Sequence, residues 1–344
     1  MKSTRLIGAS AVAATAMVLA ACGGSSSSST STSDTAAGSA AATAASSAAG
    51  SAGKKITLMV GVKGDPFYVS MQCGAQEAAT AAGATLDTQG PDKFDATLQN
   101  PMLDAVSAAK PDALLVAPND VKASTPSLKR IQDGGAKVVL VDTSVEDTTI
   151  GVSRIATNNE LGGEKAAEAL GTLGLAKGAK VVVISTDPGI SSVDARVAGF
   201  KKKAAELGFT LVSDTQYSHN TAATGAQVIS ADLAKDPDLA GVFATNLFTA
   251  QGVATGVKQA GKSGAVKVVG FDAGPDQMKQ LAAGDVQALV AQKPYDIGKQ
   301  GVEQALAALS GGTVTPKIET ESLVVTKDNM AQADVAKYIY KSGC

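Results

Sequence analysis

The sequence predicts an α/β protein made of two open parallel sheets, each covered by helices on both faces. Three observations lead there. Continuous Val/Leu/Ile runs of strand length recur after residue 54, bounded by polar or glycine residues, as expected of strands buried on both faces. Amphipathic, alanine-rich segments separate them on a repeat of about 30 residues, and unbroken strand–helix alternation requires parallel pairing. That many runs also fit two open sheets better than one.

In chain order, the first run is KITLMVGV, from Lys55 to Val62, followed by a helix predicted from Phe67 to about Ala82. Further strands are predicted in DALLVAP at Asp112, KVVLVD at Lys137, KVVVIST at Lys180, FTLVSD at Phe209, LAGVFATN at Leu239, VKVVGFD at Val266 and VQALVAQ at Val286. Punctuation supports the helices between them. Asp65 sits where an N-cap accepts backbone N–H bonds, and Pro66 follows at the first helical position, where its missing N–H costs nothing. GGEKAAEALGTLG and DQMKQLAAGD end on glycines suited to left-handed caps. Open parallel sheets bind ligands beyond the carboxyl ends of their strands. Polar residues recur there in both halves: Asp65, Asn119, Asp120 and Asp142 in the first, Asp187, Asn246, Asp272 and Gln292 in the second. Two facing lobes with such rims would form a polar cleft.

The start of the chain differs from the rest. Lys2 and Arg5 precede the apolar stretch Leu6 to Ala21, the layout of a secretory signal, and the stretch is short and alanine-rich for a membrane span. Leu19-Ala20-Ala21-Cys22 resembles the lipobox of bacterial lipoproteins, which implies cleavage before Cys22 and a diacylglycerol thioether on its sulfur; the alternative is an ordinary signal with a chance cysteine. From Gly23 to Gly53 the chain is Ser, Ala, Thr and Gly with Asp34 as the only charge, the composition of a flexible leash.

Composition narrows the function. The chain has 344 residues with a hydrophobic fraction of 44%, enough after the leash for one large domain or two medium ones. Formal net charge is −2, and removing the signal takes away two cations and no acid, giving about −4. With no basic tract, nucleic acid is not an expected partner. One histidine, His219, leaves His-based metal sites and most Ser/His or Cys/His arrangements nothing to build on; nothing in the sequence asks for an enzyme, and no metal or cofactor is expected. GVKQAGKS, Gly256 to Ser263, fits the P-loop spelling, but a helix precedes it and a strand follows, the reverse of what a phosphate cradle needs.

Between Lys55 and about Met330, DPFYVSMQCGAQEAA, VAPND, VVLVD, NNELGGEKAAEAL, RVAGFKKKAAELG, VFATN, VVGFDAGPDQMKQL and QKPYDIGKQGVE resemble, in order, the type I periplasmic sugar-binding proteins of the ribose-binding-like branch. The resemblance implies two Rossmann-like lobes with parallel sheets joined by a three-stranded hinge. The expected segments are a signal (1–21), a lipid-anchored linker (22–54), an N-terminal lobe (55–157 with 293–321) and a C-terminal lobe and tail (158–292 with 322–344). It implies a sugar or sugar alcohol as ligand and the permease of an ABC importer as partner, for a monomer held by lipid at the outer face of the cell membrane. A sensor subunit feeding a membrane signalling receptor, or a binder of another small polar ligand, would read the same way. A DNA-binding regulator of this fold would carry a helix-turn-helix where this chain has its signal and leash.

Carried over residue by residue, the resemblance assigns ligand contact to Asp65, the aromatic pair Phe67 and Tyr68, Asn119, Asp142, Arg196 in RVAGF, Asn246, Phe271, Asp272 and Gln292. Carboxylates, amides and an arginine fork satisfy hydroxyls that both donate and accept, and aromatic faces cover sugar C–H surfaces. Asp65, Asp142 and Asp272 could also serve only as helix caps, and one of Phe67 and Tyr68 could be core. The family often has Asn at position 65, and Ala117, Thr143 and Leu247 stand where ribose binders carry polar groups. The ligand is therefore not expected to be ribose, and Asn119, Tyr217 and His219 are candidates to redraw that side of the pocket. With Cys22 assigned to lipid, Cys73 and Cys344 remain, in a chain expected outside the cytoplasm. Either they form a disulfide that pins the tail to the first helix, or Cys73 packs as a small apolar residue beside a frayed terminus.

Overall fold

The computed structural model describes residues 52–344; the expected signal, Cys22 and most of the expected leash lie outside them. Two sheets organise the chain. The first has the order β12-β5-β4-β3-β1-β2, with β1 Lys55–Met59, β2 Thr85–Gln89, β3 Ala113–Val116, β4 Lys137–Val141, β5 Ser153–Thr157 and β12 Lys317–Thr320. All its pairings are parallel. The second runs β13-β11-β10-β9-β6-β7, from β13 Leu323–Thr326 and β11 Ala288–Ala291 through β10 Lys267–Phe271 and β9 Gly241–Ala244 to β6 Lys180–Ser185 and β7 Thr210–Leu211. A short β8, Gln216–Tyr217, also pairs with β6, and only β13 is antiparallel.

The chain passes between sheets three times: from β5 into the helix Asn159–Thr172, from β11 into the helix Pro294–Ser310, and from β12 to β13. At this seam Thr157 Oγ1 donates to Gln292 Oε1 at 2.6 Å. The strands β3, β4, β6, β9 and β10 are almost wholly buried, which is why their sequences are continuous apolar runs. FTLVSD contributes only the two-residue edge strand β7.

Helix pairs cover the sheets through glycine contacts. We number the helices α1 (Pro66–Ala81), α2 (Ala96–Ala109), α3 (Thr125–Asp133), α4 (Asn159–Thr172), α5 (Ser191–Leu207), α6 (Ala222–Lys235), α7 (Leu247–Gln259), α8 (Pro275–Ala283) and α9 (Pro294–Ser310). A Cβ on Gly74 of α1 would lie 2.0 Å from Tyr295 O of α9, and one on Gly163 of α4 would lie 2.0 Å from Arg196 O of α5. Backbones therefore meet directly at equivalent places in the two lobes. The lobes also touch across the cleft: Val121 N donates to Gly189 O at 3.1 Å, and Ser144 N to Ser191 Oγ at 2.8 Å. This is a closed arrangement.

Candidate functional site

A cavity lies between the lobes, lined by Asp65, Phe67, Tyr68, Phe94 and Asp142 from the first and by Thr186, Ser192, Arg196, Asn220, Asn246, Asp272 and Gln292 from the second or the seam, with Ile190 and Val193 as apolar filling. Eight of the ten residues expected from the sequence meet here: Asp65, Phe67, Tyr68, Asp142, Arg196, Asn246, Asp272 and Gln292.

The two acids that follow β4 and β10 share an unusual backbone. Asp142 has φ 63° and Asp272 φ 78°, a region that non-glycine residues seldom adopt. Each still extends its sheet, Asp142 N donating to Ile155 O at 2.8 Å and Asp272 N to Val290 O at 2.9 Å. The left-handed twist turns the carboxyl off the strand and into the cleft. Local strain of this kind persists where surrounding hydrogen bonds over-determine it.

Those bonds are present. Tyr68 Oη donates to Asp142 Oδ2 at 2.8 Å. Asp272 Oδ1 accepts from Gln292 Nε2 at 2.6 Å, and Oδ2 from Leu247 N at 2.8 Å. Asp65 both caps and lines: Oδ1 accepts from Phe67 N at 2.9 Å while the residue faces the cavity. Asn246 caps α7 through Thr249 N and donates to Asn220 Oδ1 at 2.6 Å.

Arg196 is held from three sides. Its Nε donates to Asn159 Oδ1 at 2.8 Å, Nη1 donates to Thr245 O at 2.9 Å, and Cζ lies 3.7 Å above the centre of the Phe271 ring. Two of the five donors of a guanidinium are thereby engaged, which fixes the fork and leaves the others for a ligand. On the opposite wall Tyr68 stacks near Phe94, ring centres 6.5 Å apart. Gly61 makes room for this wall, since a Cβ there would lie 2.4 Å from both Phe94 and the Tyr68 hydroxyl oxygen.

Two expected ligand contacts fall elsewhere. Phe271 is fully buried beneath Arg196, a support for the guanidinium with no face open to the cavity. Asn119 lines a wider groove outside the cavity, with Asp120, Asp187, His219 and Phe248; its amide donates to Gly61 O at 2.9 Å. His219 also turns outward, to Asp187 at 2.6 Å, and Tyr217 is absent from the cavity wall. Phe94, Thr186, Ser192 and Asn220 also line the cavity, and the sequence did not single them out. Thr186 ends its strand run in the way the other polar residues do. Phe94, inside the loop QGPDKFD, carries no comparable sequence signal.

Enclosure between the lobes weakens the acidity of Asp65 and Asp142. Burial, reinforced by the charge of Asp272, pushes Asp65 up to about 7. Burial also raises Asp142 to about 6, against the pull of Arg196 and Tyr68. Were the lobes to part, both would return to water and to ordinary acidity. The closed form thus binds more protons than the open form, and its stability falls as pH rises from the ordinary carboxylate range through about 7. In ligand-free buffer the protein is expected to be more compact at pH 5 than at pH 8 by small-angle scattering. Equal radii of gyration at both would contradict this.

Two lobes closing on a small cavity through hydrogen-bonding groups define a solute-binding protein that works by capture. The chain belongs to the periplasmic binding protein family: the model of the periplasmic binding protein domain matches residues 56–313. It is 32% identical to the ribose import binding protein of Escherichia coli over 276 residues, 79% of this chain and 90% of that protein. It is 30% identical to the D-ribose/D-allose-binding protein of Pseudomonas aeruginosa, over 81% of this chain and 89% of that one. Among solved structures, an ABC transporter solute-binding protein of Agrobacterium vitis bound with α-D-tagatopyranose matches with TM-score 0.81 and 41% identity, covering 84% of this chain and 99% of its own. A second from the same organism, with bound D-fucose, matches with TM-score 0.79 and 31% identity, over 83% and 99%. These relatives are sugar-binding transport proteins.

Proposed function

We propose that this chain captures a monosaccharide or sugar alcohol outside the cytoplasm and delivers it to an ABC permease, held at the membrane by lipid on Cys22. One observation carries the reading. The cavity sets the aromatic wall of Phe67, Tyr68 and Phe94 near a ring of three carboxyls, two amides beside Gln292, and the Arg196 fork. Such a ring accepts and donates to neutral hydroxyls, while its excess of carboxyls disfavours sugar phosphates and sugar acids. The solved relative with α-D-tagatopyranose makes D-tagatose the first ligand to try.

A thermal-shift panel tests the reading, with D-tagatose, D-fucose, D-ribose, D-allose, D-arabinose and galactitol, and with putrescine and glucose 6-phosphate as charged controls. A ligand at ~100 times its Kd stabilises by ~2.7 kcal/mol, a rise of several degrees. At least one neutral sugar or polyol should give it. A shift from the charged controls alone would reject the sugar reading. The anchor has its own check, resting on Leu19-Ala20-Ala21-Cys22. Cys22→Ser should move the mature protein from the membrane to the soluble fraction or medium, and a mature variant that stays with the membrane would refute the lipid assignment.

A further inference from the structure

Beyond β13 the chain forms a strap over the seam between the lobes. Val335 and Tyr338 pack into a core of the second lobe. Two residues later, Tyr340 belongs to the core of the first, its ring edge-on to Phe67 with centres 5.7 Å apart. The backbone alternates likewise: Tyr340 N donates to Ala273 O at 3.1 Å, and Lys341 N donates to Ser70 Oγ on α1 at 2.7 Å. The strap ends in a disulfide between Cys344 and Cys73 of α1, with Cα atoms 5.3 Å apart, a separation ordinary for such a bridge.

Tyr340 is buried and lies outside the cavity wall, but its hydroxyl donates to Asp272 Oδ1 at 2.7 Å. It meets there the same oxygen that Gln292 Nε2 holds. Asp272 is the lining acid with φ 78°, so its direction depends on what fixes its oxygens. A residue whose ring is lodged in one lobe thus orients an acid of the other.

We propose that the disulfide-anchored tail is part of the binding machinery: Tyr340 is a positioning residue that aims Asp272 at the ligand, and the Cys73–Cys344 bond keeps Tyr340 in place across both lobes. The proposal rests on the sugar-binding reading and adds a residue and a covalent control to it. A dithiol such as dithiothreitol reduces the bridge by two exchanges through a mixed disulfide, closing to its own cyclic disulfide and leaving thiols on Cys73 and Cys344. The tail is then held by packing and backbone hydrogen bonds alone.

The test compares wild type, Tyr340→Phe and Cys344→Ser by calorimetry with the panel sugars, D-tagatose first. Tyr340→Phe keeps the ring and its packing and removes only the hydroxyl. Its melting temperature should stay within about 4 °C of wild type, while affinity falls at least about tenfold. The ratio of affinities between the two best sugars should also change, which lost stability alone does not produce. Dithiothreitol should weaken binding by wild type and leave Cys344→Ser, already weakened, unaltered. Affinities within twofold of wild type, with an unchanged ratio, would overturn the proposal. If wild type binds none of the sugars, the sugar reading fails on its own account, and the strap is judged by hydrogen exchange. The Leu247 amide, which donates to Asp272 Oδ2, should then exchange at least about tenfold faster in Tyr340→Phe and in Cys344→Ser. Unchanged exchange in both would overturn the strap as well.

Discussion

Arg196→Ala is expected to cost ~2–4 kcal/mol of sugar binding, the largest loss from any single lining residue. The guanidinium does three things at once. It offers donors to the cavity, satisfies Asn159 Oδ1 and Thr245 O, and covers the face of Phe271. It is also the one cation among the cavity residues, facing Asp65, Asp142 and Asp272. Truncation leaves buried acceptors without donors and three acids without a counter-charge. Arg196→Lys should recover little, because a single ammonium cannot reproduce two fixed bonds and a flat contact with the ring. Calorimetry with the sugar chosen by thermal shift gives the number, and weakening below threefold for the alanine variant would remove Arg196 from the site.

Gly163→Val should lower both stability and binding. A Cβ on Gly163 would lie 2.0 Å from Arg196 O and 2.8 Å from Phe200 N, while one on Gly199 would lie 2.0 Å from Glu160 O. The partner atoms are backbone, so α4 and α5 must separate. Overpacking of this kind costs about 1–3 kcal/mol and sometimes more. The clash falls on the carbonyl of Arg196 itself, so separation also drags the guanidinium from Phe271 and Asn159. Gly171→Ala is the matched control on the same helix. Its Cβ would meet Leu207 Cδ1 at 3.8 Å, an ordinary contact, and alanine favours a helix by up to ~1 kcal/mol over glycine. Thermal melts and calorimetry on the two variants separate them. If Gly163→Val melts and binds like Gly171→Ala, the glycine contact does not position Arg196.

The legible parts of this molecule were those where one physical cause dominates. Strands such as β4 and β6 are buried on both faces, so KVVLV and KVVVIS announce themselves. Strand β2, TLDTQ, is a half-exposed edge, and β5, SRIAT, alternates buried with half-buried positions; neither forms an apolar run. Asp142, Asp272, Asn246 and Gln292 were legible because parallel sheets present the residues just past their strands to the ligand side. The left-handed backbone that aims the two acids carries no sequence mark, since aspartate seldom adopts it. Phe271 shows the limit in one step along the chain: it ends β10 facing the helices, and the next residue, Asp272, turns into the cleft. Asn119 follows its strand as the others do, but its amide is taken by Gly61 O and the buried residue borders the outer groove, not the cavity. Phe94 and Asn220 reach the cavity from loops, where neither period nor strand end marks them.

The decisive measurement is a crystal structure grown with the sugar giving the largest thermal shift. A single ring of density is expected between the lobes, its hydroxyls within hydrogen-bond distance of Arg196, Asp142 and Asp272 and one of its faces against the aromatic wall of Phe67, Tyr68 and Phe94. Sugar bound only in the outer groove of Asn119 and His219, with the cavity between Arg196 and Asp142 filled by water alone, would contradict it.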